Sequence, residues 1–460
     1  MLKCWVTVVG IIFLVQSARL QDTTVLTFSL KEAQDYAVEH NANVRNARLD
    51  MAAAKKKVWE TTAIGLPQVN GSISYQNIFD VPTTNFPVSY LMPSPVYNTQ
   101  GDPGSGVDYF EYSMEMMENE VELGVKEQIT YDLTVSQLIF SGEYIVGLQA
   151  AKAYKDLSFK SAGKAELDVK ASVTQAYLMI LMAEENIKVL DSSLQAMRQV
   201  LFETKAMHET GFLDETDVDQ IRLNLKNLEN TKVSLERQEE TGYKLLKIQL
   251  GAEFDQEVRL TDSIQKIYEA VDVESVLTQD FSVENNIDYQ LMETRERLQL
   301  LSVRRERATC LPTVSVFYRH QELNDEPEFN FNFPDLLGVN VEIPIFSSGM
   351  RYAKIQQAKI EHEKTQNMKD YAAKNLQLGF MQAKFDMKNA YDKYTTAKES
   401  LELAERIYQR MLIKYREGVA SSLELTQAQS QYLNTQSDYF GAMFELLNAK
   451  NTLDKTLNNF

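Results

Sequence analysis

The most constraining feature of this sequence is an apolar repeat in its C-terminal part. Between Gly349 and Gly418 the chain has no Pro and only Gly379 as an interior glycine. Apolar residues recur there every seven positions, with mostly small residues three positions after them: Met387, Tyr394, Leu401, Tyr408 and Tyr415, then Ala390, Ala397, Ala404 and Met411. This spacing is typical of a helix that lies along a second helix in a coiled coil. At about 1.5 Å per residue, it predicts a helix about 100 Å long that turns back near Gly418.

The same helical hairpin is predicted twice. After Gly418 the spacing resumes at Leu425, Tyr432, Tyr439, Leu446 and Leu453. Three features recur 207 positions apart: Gly142 and Gly349, Ala151-Lys152 and Ala358-Lys359, and the turn residues Gly211 and Gly418. The residues 207 positions before the heptad residues Met387 to Tyr415 are also apolar, with one polar exception at the last position. They are Ile180, Ile187, Leu194, Leu201 and His208. A constant offset along the whole helix indicates an internal duplication.

The remaining segments divide the chain into a leader, two repeats and a connector. Residues 1–20 have the pattern of a secretory signal peptide, with Lys3 before a short apolar core and Ser17-Ala18 near its end. Residues 21–250 are predicted to form the first repeat, 251–280 a connector and 281–460 the second repeat. Each repeat is expected to run helix, strand, loop, strand, long helix, turn and helix. The first helix is expected over residues 28–64, with Ser29 and Glu32 forming a capping box.

Four segments that alternate polar and apolar residues predict strands, two before each long hairpin. They cover residues 68–76, 129–136, 313–319 and 337–345, and a loop of about 50 residues separates the first two. Strands of about 9–11 residues suit a membrane, although a soluble antiparallel sheet gives the same alternation. The signal peptide and the aromatic-rich loops favour the membrane. Because a barrel needs about eight strands, several chains would have to share one.

Composition argues against several classes of protein. The formal net charge of −18 is unsuited to nucleic acid, which requires a basic surface. No apolar run is long enough for a membrane-spanning helix. Removal of Cys4 with the signal peptide would leave Cys310 alone, so no disulfide framework is expected. Without a phosphate loop, a nucleophile elbow or metal-ligand spacing, no catalytic residue, cofactor or metal site is predicted.

Several short motifs, taken in order, resemble those of the outer membrane factors of the TolC family, the outer membrane efflux proteins. They cover essentially all of the mature chain, and each is weak alone. Two of them open strands and one leads into the second long helix: Leu66-Pro67, Leu311-Pro312 and the run from Pro344 to Gly349. The others lie at the hairpin tips: Gly211 followed by Thr216-Asp217, and the run from Tyr415 to Gly418 followed by Glu424.

The resemblance implies an α+β fold, mainly α, in which a duplicated unit of strands and a long helical hairpin builds a homotrimer. Three chains would form one twelve-stranded β-barrel in outer membrane lipid and a barrel of helices in the periplasm of a Gram-negative bacterium, with residues 251–280 in the equatorial region. The implied partners are a periplasmic adaptor (membrane fusion) protein and an inner-membrane pump of the RND or ABC type. The chain would then be a passive export duct for efflux or type I secretion, and not an enzyme.

The two hairpin tips are the predicted contacts with the adaptor. They comprise Gly211, Phe212, Leu213, Gly418, Val419 and Ala420. Any hairpin of two helices needs a C-capping glycine and an N-capping Asp or Ser, so the glycines have an ordinary structural explanation. The apolar side chains exceed what a turn requires, and exposed apolar groups usually mark contacts with a partner.

The resemblance also implies a periplasmic gate formed by Thr216, Asp217, Tyr415, Glu424 and Gln427. Tyr415 is expected to hydrogen-bond Asp217. One Glu424 from each chain would place three like charges around the pore axis, which raises their pKa values and favours cations. The family's gate arginine falls on Ala420 and its second acid on Gln427, so part of that gate is missing. From the spacing alone, Tyr415 is also explained as a core residue and Glu424 as a first-turn acid favoured by the helix dipole.

A second class of function is compatible with the long hairpins. A secreted coiled-coil scaffold or adhesin could use them without any transport activity. Such a protein would need no amphipathic strands, so the four alternating segments count against it. Within the export interpretation, the choice among drugs, metals, peptides and proteins belongs to the partner pump and adaptor.

Overall fold

A computed structural model describes residues 25–96, 109–122, 124–325 and 333–460. The predicted signal peptide, residues 1–20, lies outside these ranges. The chain is mainly helical, at 69%, with a smaller share of strands, which confirms the predicted fold class. Within the described ranges, no helix combines the length and the apolar character needed to cross a membrane.

The elements are numbered in chain order. The strands are β1 (Leu26–Phe28), β2 (Gln68–Asn77), β3 (Thr83–Val96), β4 (Tyr109–Glu122), β5 (Glu127–Ser141), β6 (Val258–Leu260), β7 (Thr313–Leu323) and β8 (Asp335–Glu342). The helices are α1 (Leu30–His40), α2 (Ala42–Ala63), α3 (Gly142–Glu209), α4 (Glu215–Leu250), α5 (Ile264–Glu269), α6 (Val273–Thr278), α7 (Ile287–Ala308), α8 (Met350–Arg416) and α9 (Ser422–Leu457).

The long helices α3 and α8 bury the face that the heptad spacing predicts. In α8 the buried residues include Met387, Tyr394, Tyr408 and Tyr415. In α3 the equivalent apolar residues Ile180 and Leu194 are buried, whereas His208 is exposed. Each long helix is followed by a shorter one of 36 residues, α4 or α9, after a turn at the predicted glycine. The helix–turn–helix interpretation of the apolar repeat is therefore confirmed.

The first predicted helix, residues 28–64, is in fact two helices that are separated at Asn41. Ser29 and Glu32 form the predicted capping box at the start of α1. Asn41 takes an extended conformation and its Oδ1 accepts a hydrogen bond from the Asn43 amide at 2.8 Å, which begins α2. A buried Asn that caps a new helix in this way ends the previous helix without a proline. The sequence pattern lacked Pro and Gly at this point, which is why it predicted one helix.

Equivalent hydrogen bonds at Asn41 and Asn286 show the duplication at atomic detail. Asn286 Oδ1 accepts from the Asp288 amide at 2.9 Å and so caps α7 as Asn41 caps α2. Asn41 Nδ2 donates to the Gln249 carbonyl at 2.7 Å, and Asn286 Nδ2 donates to the Thr456 carbonyl at 2.9 Å. Gln249 and Thr456 are 207 positions apart, and Asn41 and Asn286 are 245 apart. Two offsets therefore relate the halves, 245 for the α2 and α7 segments and 207 for the hairpins.

Packing divides the chain into two units. Among the described residues, the first comprises 25–52, 157–293 and 367–460, and its strands there are the parallel pair β1 and β6. The Tyr177 hydroxyl, from α3, donates to the Phe28 carbonyl at 3.0 Å, and Asp262 Oδ2 accepts from the Leu30 amide at 2.8 Å. These bonds attach the start of α1 to α3 and to the segment after β6. A buried apolar cluster packs the same elements together.

The second unit comprises residues 53–156 and 294–366 and contains the predicted strands. Its antiparallel sheet has the order β2-β5-β7-β8, with Gln68 opposite Ser136 and Thr313 opposite Glu342. The fourth strand was expected to reach Ile345 but ends at Glu342. Pro344 explains the difference, because proline has no amide hydrogen to extend the ladder.

The prediction of a long loop after the first strand is wrong in one respect, because two paired strands, β3 and β4, lie within that segment. β3 pairs antiparallel with β4 from Thr83 opposite Glu122 to Val96 opposite Tyr109. The prolines at positions 87, 93 and 95 favoured a loop in the sequence pattern, because proline is rare within strands. All three are odd-numbered, and amide groups alternate in direction along a strand, so all three lack a hydrogen on the same edge of β3. A two-stranded ribbon tolerates this because that edge need not pair.

Candidate functional site

Both hairpin tips end their first helix with a left-handed glycine. Gly211 and Gly418 have φ values of 79° and 72°. The Phe212 amide donates to the Met207 carbonyl at 2.9 Å, and the Val419 amide donates to the Lys414 carbonyl at the same distance. These six-residue closures are Schellman motifs, for which glycine is favoured because a Cβ strains a positive φ. The structural explanation of both glycines therefore holds.

The four apolar tip residues divide into two pairs with different surroundings. Leu213 and Ala420 pack against a buried cluster to which α3, α4, α8 and α9 all contribute. Phe212 and Val419 are 81% and 74% exposed. Only the second pair is therefore available as an apolar contact surface at the tips.

Tyr415 joins the two hairpins, but through a different residue from the one expected. Its side chain is buried, and its hydroxyl lies 2.7 Å from Thr204 Oγ1 on α3. Thr204 Oγ1 in turn donates to the Val200 carbonyl at 2.7 Å, so Tyr415 is the donor in the first bond. Burial raises the pKa of Tyr415, which keeps this donor protonated. The predicted hydrogen bond between Tyr415 and Asp217 is wrong, because a nearer hydroxyl satisfies the phenol.

Asp217 instead accepts a hydrogen bond from the buried hydroxyl of Ser422, on α9. Asp217 is the third residue of α4, and the residue 207 positions later is Glu424, the third residue of α9. A glutamate at this position reaches back to cap its own helix, whereas the shorter aspartate here turns to the other hairpin. Thr216, beside it, is exposed.

Glu424 is a capping residue in the single chain. Its Oε2 accepts from the Ser421 amide at 2.8 Å, and the Glu424 amide donates to Ser421 Oγ at 3.3 Å. The hydrogen bonds from the Ser421 amide and hydroxyl lower the pKa of Glu424. This direction is opposite to the one expected for three like charges in a trimer. Gln427 lies exposed on the next turn of the same helix.

Two further polar contacts join the hairpins near the tips. Arg416 Nε lies 3.1 Å from Glu203 Oε2, and buried Asn224 Nδ2 donates to Gln429 Oε1 at 2.7 Å. Together with the bonds of Tyr415 and Asp217 they form what we call the hairpin latch: Thr204–Tyr415, Asp217–Ser422, Glu203–Arg416 and Asn224–Gln429. Each contact has one partner in each hairpin, so the latch lies between the two hairpins and not within a helix.

The latch contains residues that sequence reasoning missed. Thr204 continues the series Ala183, Leu190, Met197, three positions after the heptad residues of α3. A hydroxyl at the end of such an apolar series was the signal for a buried polar contact. Ser422 had no such signal, because the turn explains a serine there equally well.

The described residues contain no group of three or more His, Cys, Asp and Glu side chains that could hold a metal ion. Cys310 is a free, exposed thiol.

The sequence and the fold are similar to those of known outer membrane proteins. Residues 282–459 match the family model described as outer membrane efflux protein. No curated protein matches the sequence. The outer membrane channel CmeC of Campylobacter jejuni is 17% identical, with a TM-score of 0.70 over 94% of this chain and 85% of that chain. The outer membrane protein VceC of Vibrio cholerae is 15% identical, with a TM-score of 0.69 over 93% and 95% of the two chains. The open MtrE outer membrane channel of Neisseria gonorrhoeae is 14% identical, with a TM-score of 0.69 over 93% and 88%.

The fold is therefore that of outer membrane channels. The family match over residues 282–459 confirms the predicted resemblance to the outer membrane factors of the TolC family, and the solved channels show a similar fold.

Proposed function

We propose that this protein is the outer-membrane channel of an efflux or type I secretion system in a Gram-negative bacterium. Solutes would pass through it passively, and an inner-membrane pump would supply the energy. The family match over residues 282–459 supports a channel for efflux systems, and a passive duct requires no catalytic residue. We expect the strands to lie in the outer membrane and the helical hairpins in the periplasm.

The observation that carries the proposal is the pair of open edges in the four-stranded sheet. β2 and β8 are the outermost strands, and in the described ranges neither pairs with a further strand of the sheet. Their apolar side chains, such as Ile73, Leu337 and Val339, are exposed. In lipid every backbone polar group needs a partner, so such a sheet must close with copies of itself. Three copies of four strands supply twelve, above the minimum of about eight.

The hairpin latch is the proposed gate. Its four contacts hold the two hairpin tips together within one chain, and Tyr415 and Asp217 belong to it as the resemblance implies, although with Thr204 and Ser422 as their partners. Loss of these bonds would let the tips move apart and widen the periplasmic entrance. Phe212 and Val419, exposed beyond the latch, are the proposed contact with a periplasmic adaptor.

Conductance of purified protein in a planar bilayer tests this function. We expect a trimer in detergent and a small, cation-selective conductance that rises several-fold when Tyr415→Phe and Ser422→Ala are combined. Tyr391→Phe removes an exposed hydroxyl from the same helix and should leave the conductance unchanged. A soluble monomer without conductance would reject the channel and favour a coiled-coil scaffold.

A further inference from the structure

One face of α3 is covered by the other half of the same chain. Four residues on this face make the contacts: Lys160, Lys164, Asp168 and Ala171. Lys164 Nζ lies 2.7 Å from Asp288 Oδ1, and Lys160 Nζ donates to the Gln290 carbonyl at 3.2 Å, both on α7. Asp168 Oδ1 lies 2.8 Å from Lys455 Nζ, and Asn451 Nδ2 donates to the Ala171 carbonyl at 3.0 Å, both on α9.

The equivalent face of α8 is exposed. The residues 207 positions later are Asn367, Tyr371, Asn375 and Leu378. All four are exposed, and the two large ones, Tyr371 and Leu378, are 68% and 53% accessible to solvent. Ala171, the counterpart of Leu378, is 7% exposed. The same helix face is therefore partly buried by contacts within the chain in one half of the molecule, and exposed, with larger apolar side chains, in the other.

The elements that would cover this face are exposed as well. On α7, Asp288 and Gln290 correspond by the offset of 245 to Asn43 and Arg45 on α2. On α9, Asn451 and Lys455 correspond by the offset of 207 to Lys244 and Ile248 on α4. All four are exposed, and Ile248 is 55% accessible where its counterpart, Lys455, forms an ion pair. The offsets are reliable here, because Asn41 and Asn286 bond to equivalent carbonyls on α4 and α9.

We propose that the α8 face of Asn367, Tyr371, Asn375 and Leu378 binds the α2 and α4 segments of a second copy of this chain. The inference rests on the proposed assembly of several copies into one channel, and it names the surfaces and the register of their contact. Ile248 of the second copy would lie against Asn375 and Leu378, and its Asn43 against the Tyr371 hydroxyl. Two unlike surfaces meet, so the contact is head-to-tail and can close a ring.

The chemistry of the proposed contact differs from that of its counterpart within the chain. Two of the four contacts would again be hydrogen bonds from a side chain to a backbone carbonyl. Asn367 can donate in place of its counterpart Lys160, and Lys244 in place of its counterpart Asn451. The two ion pairs, Lys164–Asp288 and Asp168–Lys455, are replaced by neutral and apolar pairs. Burial of Tyr371, Leu378 and Ile248 would therefore hold the copies together, and salt should not weaken this contact.

Cysteine cross-linking in detergent tests the register. In a Cys4→Ser, Cys310→Ser background, Ile248→Cys combined with Asn375→Cys should give covalent multimers with a short bismaleimide. The matched pair Asp168→Cys with Lys455→Cys should link within the chain and remain at monomer mass on a denaturing gel. A further control, Ile248→Cys with Gln377→Cys, places the second thiol on a different face of α8 and should not link.

The outcomes separate this inference from the channel itself. Multimers from the first pair, and from mixing the two single variants, would support the proposed contact. An intact conducting oligomer in which only the control within the chain links would overturn the contact and leave the channel standing. A protein that is monomeric and does not conduct would overturn both.

Discussion

At the scale of single residues, removing either partner of the Tyr415–Thr204 hydrogen bond should destabilise the protein by a different amount. Tyr415→Phe removes the donor, while Thr204 keeps its bond to the Val200 carbonyl. The expected cost in the free energy of unfolding is about 1 kcal/mol. Thr204→Val leaves the Tyr415 hydroxyl buried without its partner, which costs about 1–3 kcal/mol. Denaturant unfolding should therefore rank Thr204→Val as the more damaging variant.

The double variant provides the control for this prediction. Once Thr204 is Val, replacing Tyr415 with Phe removes an unpaired hydroxyl, so the double variant should be less destabilised than the sum of the two single variants. Additive costs would show that the bond between the two hydroxyls contributes nothing.

Glu424 makes a pH-dependent contribution to stability. Hydrogen bonds from the Ser421 amide and hydroxyl lower its pKa below the ordinary value of a glutamate. A lowered carboxyl pKa stabilises the folded chain above the unfolded value, and the contribution disappears as the pH falls through the folded value. The difference in melting temperature between the wild type and Glu424→Ala should therefore be constant above about pH 5 and shrink at lower pH. A difference that persists unchanged at pH 3 would contradict the capping role, and Gln427→Ala on the same helix should show no such trend.

At the scale of elements, the tips combine rigid turns with exposed apolar groups. Replacing Phe212 and Val419 with Ser removes the exposed pair but leaves both Schellman motifs intact, because those use backbone groups. We expect binding to a purified periplasmic adaptor to weaken at least tenfold, measured by surface plasmon resonance, with unchanged helix content. Phe385→Ser is the matched control, since Phe385 is 64% exposed on α8 but precedes the turn residue Gly418 by 33 positions. Equal loss of binding in the control would argue against a contact at the tips.

The elements also show what sequence patterns can predict. The heptads of α3 and α8 and the capping box at Ser29 were predictable because a buried stripe and a cap leave periodic or local signals. The break at Asn41 and the β3–β4 hairpin were not, because a buried asparagine and prolines on one strand edge depend on surrounding structure. The partner of Tyr415 was missed for a related reason. A choice between Thr204 and Asp217 depends on distances of a few ångströms between separate helices.

At the scale of the whole molecule, duplication gives each half the same scaffold but different side chains at its contact faces. The first half carries the ion pairs Lys164–Asp288 and Asp168–Lys455 to the second half. The second half carries Tyr371, Asn375 and Leu378 at the equivalent positions and exposes them. A contact within one chain forms without loss of translational freedom, so ion pairs suffice there. A contact between copies must offset that loss, and apolar burial is the stronger source of free energy.

This difference can be tested by transferring an ion pair from one contact to the other. Ile248→Lys places an ammonium group against an apolar face, so we expect the trimer to dissociate at detergent concentrations at which the wild type is intact. Adding Asn375→Asp recreates the Lys455–Asp168 pair at the proposed contact between copies, and should restore the trimer in low salt but not in high salt. Light scattering across a salt series measures both effects. Gln377→Asp adds the same charge on a different face of α8 and should not restore assembly. Equal rescue by both aspartates would mean that net charge, and not the register of α8 against α4, controls association.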